Sequence, residues 1–175
     1  MVRSRLELAH DHDVWRRFYE RESARVAAAL SPLMPRIEPI GSTAVSGLPA
    51  KPIVDLCVVV PTEADFDRAI EPLERLGYTH RGQHGDDPLR RYFVLEDGDR
   101  RLAQLHLWAE TASAWREAVA LRDLLRERAE VREAYAREKL RAAEAVGWDK
   151  RAYSLEKGPF IERVLDRWIR PGTGP

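Results

Sequence analysis

The stretch Pro39–Val60, PIGSTAVSGLPAKPIVDLCVVV, decides the fold. A short apolar run, Ile37 to Ile40, is broken only by Glu38 and Pro39 and ends on Gly41-Ser42. A loop of small residues follows, punctuated by Gly47, Pro49 and Pro52. Ile53 to Val60 is then apolar on both faces except at Asp55, and a β-branched run of that length between Pro52 and Pro61 reads as a strand covered on both sides. The pattern is a Gly-Ser turn at a strand edge, a tight loop carrying Lys51, and one carboxylate near the start of a buried strand. Ser42 or Thr43 can serve simply as the cap of a short helix, and Lys51 as a solvated cation. Asp55 is harder to read as structural, because an ionised carboxylate in an apolar strand is costly unless something pairs with it.

Outward from this stretch, Asp11 to Met34 reads as a helix with Val14, Phe18, Ala24, Ala28 and Leu33 as its apolar stripe. His10 and His12 at its start read as solvated side chains rather than as metal ligands. Thr62 to Leu76 reads as a second helix, capped by Thr62 and closed by Gly77. Tyr78 to Arg81 starts a strand, and Gly82 to Pro88 is a polar loop expected to be mobile near a site mouth. Leu89–Leu95 and Arg101–Trp108 read as strands around the Asp97-Gly98 hairpin turn. In the second of these, Leu102, Gln104, His106 and Trp108 share one face. Alternation lets only one of Arg90 and Arg91 face the same way as His106, and Arg91 is the expected one. From Ala112 the chain is helical: Ser113–Arg128, Val131–Val146 and Asp149–Ile169, the last eased near Gly158-Pro159. No internal repeat is expected.

The 175 residues suffice for one well-buried domain. Net charge is zero at pH 7, which argues against a nucleic-acid partner. A single cysteine excludes an internal disulfide framework and fits a reducing cytosol. With no apolar leader and no run of about 20 apolar residues, the expectation is a cytoplasmic chain without a membrane partner. Arginine is the default cation: of 29 Lys and Arg residues only Lys51, Lys139, Lys150 and Lys157 are lysine.

Gly41-Ser42-Thr43-Ala44-Val45, Gly47-Leu48 and Ala50-Lys51-Pro52-Ile53-Val54-Asp55 resemble the signature of the GrpB family, which is similar in turn to the nucleotidyltransferase superfamily. Leu121-Arg122-Asp123, Tyr135, Lys139, Tyr153, Lys157 and Phe160-Ile161 extend the resemblance over roughly Asp13 to Arg167, and three of the four lysines coincide with its lysine positions. The resemblance implies an α/β (α+β) fold: a small mixed sheet of four or five strands flanked by helices, with a C-terminal helical bundle. Residues 1–170 would form one such domain, helical from about 112, and 171–175 a disordered tail. It further implies transfer of a nucleotidyl group from a nucleoside triphosphate to an unknown acceptor. Gly41, Ser42, Thr43, Lys51, Arg91, Arg122, Lys139 and Lys157 would hold phosphates, and Asp55 and His106 would be catalytic and bind Mg²⁺, or Mn²⁺ in its place. One departure stands out. The superfamily carries a second carboxylate two positions after the first, where this chain has Cys57, a poor ligand for a hard cation. That supports the alternative of a catalytically inactive nucleotide-binding accessory module. Fusion of GrpB-like domains to dephospho-coenzyme A kinase in some bacteria would connect such a module to coenzyme A.

Overall fold

The computed structural model describes residues 6–83 and 87–170; the 171–175 tail and part of the Gly82–Pro88 loop lie outside these residues. A five-stranded mixed sheet runs in the order β1-β2-β5-β4-β3, with β1 Arg36–Ile40, β2 Val54–Val60, β3 Tyr78–His80, β4 Arg90–Asp97 and β5 Arg100–Ala109. The central pair, β2 and β5, is parallel, and every other pair is antiparallel. The run Val54–Val60, apolar except at Asp55, is therefore a central strand paired with β1 and β5 and covered on both faces, in keeping with its near-continuous apolar sequence.

One face of the sheet is closed by α1 (His12–Ala29) and α2 (Phe66–Arg75). Val54, Leu56, Val58 and Val60 of β2 and Ala103, Leu105 and Leu107 of β5 meet Trp15, Val26, Leu30, Phe66 and Leu73 there in one apolar core. The first helix presents a different stripe from the one read off the sequence. Val14 is largely exposed and Trp15, Glu22 and Val26 face inward, because the wide indole anchors the 3.6-residue phase. The second helix begins with a 3-10 turn at Glu63–Asp65, held by reciprocal Thr62 and Asp65 hydrogen bonds.

Four helices cover the other side: α3 (Ala114–Glu127), α4 (Ala129–Ala145), α5 (Lys150–Glu156) and α6 (Gly158–Trp168). The expected long third helix is thus two, broken at Lys157. Trp115 of α3 packs on Ile40, Cys57, Val59 and Trp108. Val45 and Leu48, fully buried, reach from the loop after Gly41-Ser42 into a cluster with Leu125, Val131, Tyr135 and Val164. That plug fixes the Gly-Ser turn between the end of the sheet and the helical layer. Among the described residues no helix is long and apolar enough to cross a membrane.

Candidate functional site

The turn itself is a single 3-10 turn, Ser42–Ala44, entered through Gly41 at φ 73°. A Cβ at position 41 would stand 2.4 Å from Oδ2 of Asp55, so glycine is required twice, for the positive φ and for the approach of the carboxylate. The first amides of such a turn have no partner within it. Asp55 pairs in register with Ile40 on one side and Gln104 on the other, which puts it at the sheet end nearest the turn.

Gly41, Ser42 and Thr43, with Lys51, Asp55 and Gln104, line one side of a cavity of about 250 Å³. Arg122, Tyr135, Lys139, Tyr153, Ser154 and Lys157 line the other. Lys139 is 2% exposed, its ammonium lies 5.2 Å from the centre of the Tyr135 ring, and no carboxylate of the described residues pairs with it. Burial, then the neighbouring charge of Lys157, pushes its pKa down to about 6. Lys157 donates to the Tyr135 hydroxyl at 3.4 Å. Lys51 donates to the Lys150 carbonyl (3.2 Å) and to Ser154 Oγ (3.0 Å), lies over the Tyr153 ring, and is lowered to about 8, again chiefly by burial.

Both helical lysines arrive by the same local device, which the sequence reading missed. The pentapeptide Tyr-x-x-Glu-Lys occurs twice, as Tyr135–Lys139 and Tyr153–Lys157. The i,i+4 spacing stacks each lysine stem over its tyrosine. The two glutamates, Glu138 and Glu156, share Arg141 at 2.7 and 3.0 Å, tying the two copies together on the outer side. The repeated pentapeptide was the available signal for Tyr135 and Tyr153.

His106 stands behind Asp55 rather than in the cavity. The Arg90 guanidinium contacts its Nδ1, and a guanidinium can only donate, so Nδ1 accepts and the proton sits on Nε2. That nitrogen lies 3.5 Å from Oδ1 of Asp55. Burial lowers the His106 pKa, with Asp55 opposing, and the neutral ring is wedged against Trp108 and Tyr92. With one nitrogen occupied by Arg90 and the other carrying the proton toward Asp55, this geometry does not fit a metal ligand or a general base. It fits a group that orients the carboxylate.

Of the expected phosphate ligands, Arg91 lies elsewhere and Arg122 is engaged within the chain. Arg91 is on the opposite face of β4, over the Phe66 ring and donating to the Pro88 carbonyl at 3.0 Å. Alternation held, but its phase is the reverse: Arg90 and Tyr92 stand opposite Trp108 and His106. Arg122 does border the cavity, yet its donors are spent on Glu38 and the Pro39 carbonyl (both 2.8 Å) and on Asp123 (2.8 and 3.0 Å), which clamps α3 to β1. Cys57, where a second acid would stand, is fully buried, and burial raises its thiol to about 12. Among the described residues no group of three or more His, Cys, Asp and Glu is arranged to hold a metal ion. One carboxylate and a hydroxyl suit a hard cation whose remaining ligands come from phosphates and water.

The family model described as GrpB protein matches residues 5–167. The chain belongs to the GrpB family. It is 31% identical over 153 residues to a UPF0157 protein of Halalkalibacterium halodurans, covering 87% of this chain and 77% of that protein. It is 33% identical over 176 residues to a UPF0157 protein of Pseudomonas aeruginosa, covering 98% and 71%. The crystal structure of GrpB from Enterococcus faecalis superposes with a TM-score of 0.75 at 26% identity, over 89% of this chain and 95% of that one. Cid1, an RNA terminal uridylyl transferase, superposes at 0.53 with 13% identity, over 77% of this chain and 40% of its own. The fold is nucleotidyltransferase-like.

Proposed function

We propose that the lysine-lined cavity binds the triphosphate of a nucleoside triphosphate and that the protein transfers its nucleotidyl group to an acceptor hydroxyl. The observation that carries this reading is the convergence of three of the four lysines on one cavity whose only acid among the described residues is Asp55. A buried ammonium without a carboxylate partner is unfavourable as a charge, and an anionic ligand is the natural counter-ion. Cid1 transfers a uridylyl group on a related fold, and at 13% identity that likeness supports the framework alone.

On this reading Ser42 and the amides of its turn hold phosphate oxygens, and Lys51, Lys139 and Lys157 neutralise the leaving pyrophosphate. The acceptor oxygen attacks the α-phosphorus, the bond to the β-phosphate oxygen breaks, and the hydroxyl proton leaves through Asp55. A Mg²⁺ arriving with the nucleotide would neutralise phosphate charge, with Asp55 as its protein ligand. His106, held by Arg90, positions Asp55.

Cys57 favours a second reading, a module that binds the nucleotide and leaves it intact. The experiment that separates the two is incubation with each labelled nucleoside triphosphate and Mg²⁺ or Mn²⁺, following pyrophosphate release and label transfer to acceptors in a cell extract. Release that disappears in Asp55→Asn supports transfer. Calorimetric binding without release under either metal supports the module, and absence of binding overturns both.

A further inference from the structure

The fourth lysine, Lys150, plays no part in the cavity described above, yet it is not scattered on the surface. It lines a second cavity of about 340 Å³ with Lys51, Arg100 and Arg101. Lys51 and Ile53 line both cavities, so the two are neighbours separated by these side chains, and the hydrogen bond of Lys51 to the Lys150 carbonyl at 3.2 Å fixes the partition. In a chain whose default cation is arginine, all four lysines therefore line these two adjoining cavities.

The outer cavity pairs a cationic wall with a small apolar floor. Two carboxylates, Glu7 and Asp99, also line it, against four cations. Arg101 is committed to Glu96 at 3.0 Å and to the Tyr92 hydroxyl. Arg100 and Lys150 have no carboxylate partner among the described residues. Leu6, Pro52 and Ile53 supply an apolar floor. The chain as a whole has zero net charge, and the positive surplus of the outer cavity adjoins that of the inner one in two small concave sites, which suits a small ligand rather than a polymer whose contacts would spread along a stripe.

We infer that this outer cavity is the acceptor site, and that the acceptor is a small phosphorylated molecule whose phosphate is held by Arg100 and Lys150. The inference rests on the reading of the inner cavity as the nucleotide site. Entry from the outer side would bring the acceptor past Lys51 toward Asp55, while its phosphate stays outside with the guanidinium and ammonium groups. Arg100 supplies a planar fork and Lys150 a compact charge, a usual division of labour at phosphate groups.

The test is calorimetric titration of ribose 5-phosphate, with ribose and inorganic phosphate as controls, into the chain saturated with a non-hydrolysable nucleoside triphosphate. Arg100→Ser/Lys150→Ser is compared with the unaltered protein. Binding of ribose 5-phosphate, competition by inorganic phosphate and at least tenfold weakening in the double variant, with nucleotide affinity changed by less than about twofold, are expected. No binding of the phosphorylated probes, or binding undiminished in the double variant, overturns the inference. Binding of single-stranded oligonucleotides at the same residues, tightening with length, overturns the small-molecule assignment. Repeating the phosphate titration without nucleotide in Lys139→Met, where the inner cavity is weakened, and again with Arg100→Ser/Lys150→Ser added, reads the outer site as the difference between the two. A failure of nucleotide binding is thereby distinguished from a failure of the acceptor site.

Discussion

Strands β2 and β5 carry two opposite kinds of surface on alternate residues. On one face Val54, Leu56, Val58, Ala103, Leu105 and Leu107 are all under 5% exposed and wholly apolar. On the other face the same strands offer Asp55, Cys57, Gln104, His106 and Trp108. The first face asks only to be covered, and α1 and α2 cover it. The second is buried nearly as well but carries or adjoins groups that need partners: Arg90 meets His106, Arg122 meets Glu38 of the neighbouring β1, and Lys139 of α4, which lines the same cavity as Asp55 and Gln104, is left open. The comparison locates the site: it lies where polar groups are buried and their accounts do not close within the chain.

The sharpest way to break this comparison is Asp55→Asn. The amide keeps the shape and loses the charge, and on the proposed reading pyrophosphate release falls by about 10³-fold or more. Asp55 keeps about a quarter of its side chain exposed, so stability changes by less than about 1 kcal/mol. On the apolar face the effect reverses. Leu105→Ala removes a fully buried side chain from the core and costs about 3 kcal/mol, a fall of roughly 6–12 °C in Tm for a chain this size, while nucleotide affinity of the folded protein stays within about twofold. Thermal melts and titrations on both variants should give opposite patterns; a large loss of stability in Asp55→Asn would erase the distinction between the faces.

Lys139→Met tests the open partner directly. Removing a buried, unpaired ammonium in favour of an apolar side chain of similar length should raise stability by about 1–3 kcal/mol and weaken triphosphate binding at least tenfold. Stability gained together with binding lost is the pattern expected of a group buried for its ligand rather than for the fold. A variant less stable than the parent would mean that Lys139 has a structural role.

Much of the framework was legible because it depends on local rules. The β-branched run Val54–Val60 could only be a covered strand, Asp97-Gly98 could only turn a hairpin, and alternation put Gln104, His106 and Trp108 together. The phase of β4 was not legible: Arg90 and Arg91 are chemically equal in the sequence, and only pairing with Trp108 and Leu107 decides which faces His106. The same holds for Arg122, whose engagement with Glu38 joins residues 84 positions apart. Lys139 and Lys157 were found by resemblance, whereas the reason they converge, two Tyr-x-x-Glu-Lys segments tied through Arg141, appears only when the helices are seen side by side.

The smallest effect concerns protons. Lys139 titrates near 6 in the folded chain against 10.5 for a free lysine. Between these values the unfolded chain holds a proton that the folded one lacks, so the stability of the unliganded protein should rise as pH climbs from about 6 toward 10.5. Binding should run the other way. A triphosphate beside Lys139 favours the charged amine and raises its pKa, so binding draws in a proton, and affinity is greatest below about 6 and falls as pH rises. Lys51, lowered to about 8, adds a second proton only above that pH. The slope is at most about tenfold per pH unit for each group. Titrations at pH 7.2 in two buffers of different ionisation enthalpy should report uptake of close to one proton in the unaltered chain and close to none in Lys139→Met. Equal uptake in the two proteins would mean that the ligand's charge is not met at Lys139, and the contrast between a closed apolar face and an open polar one would have to be drawn without it.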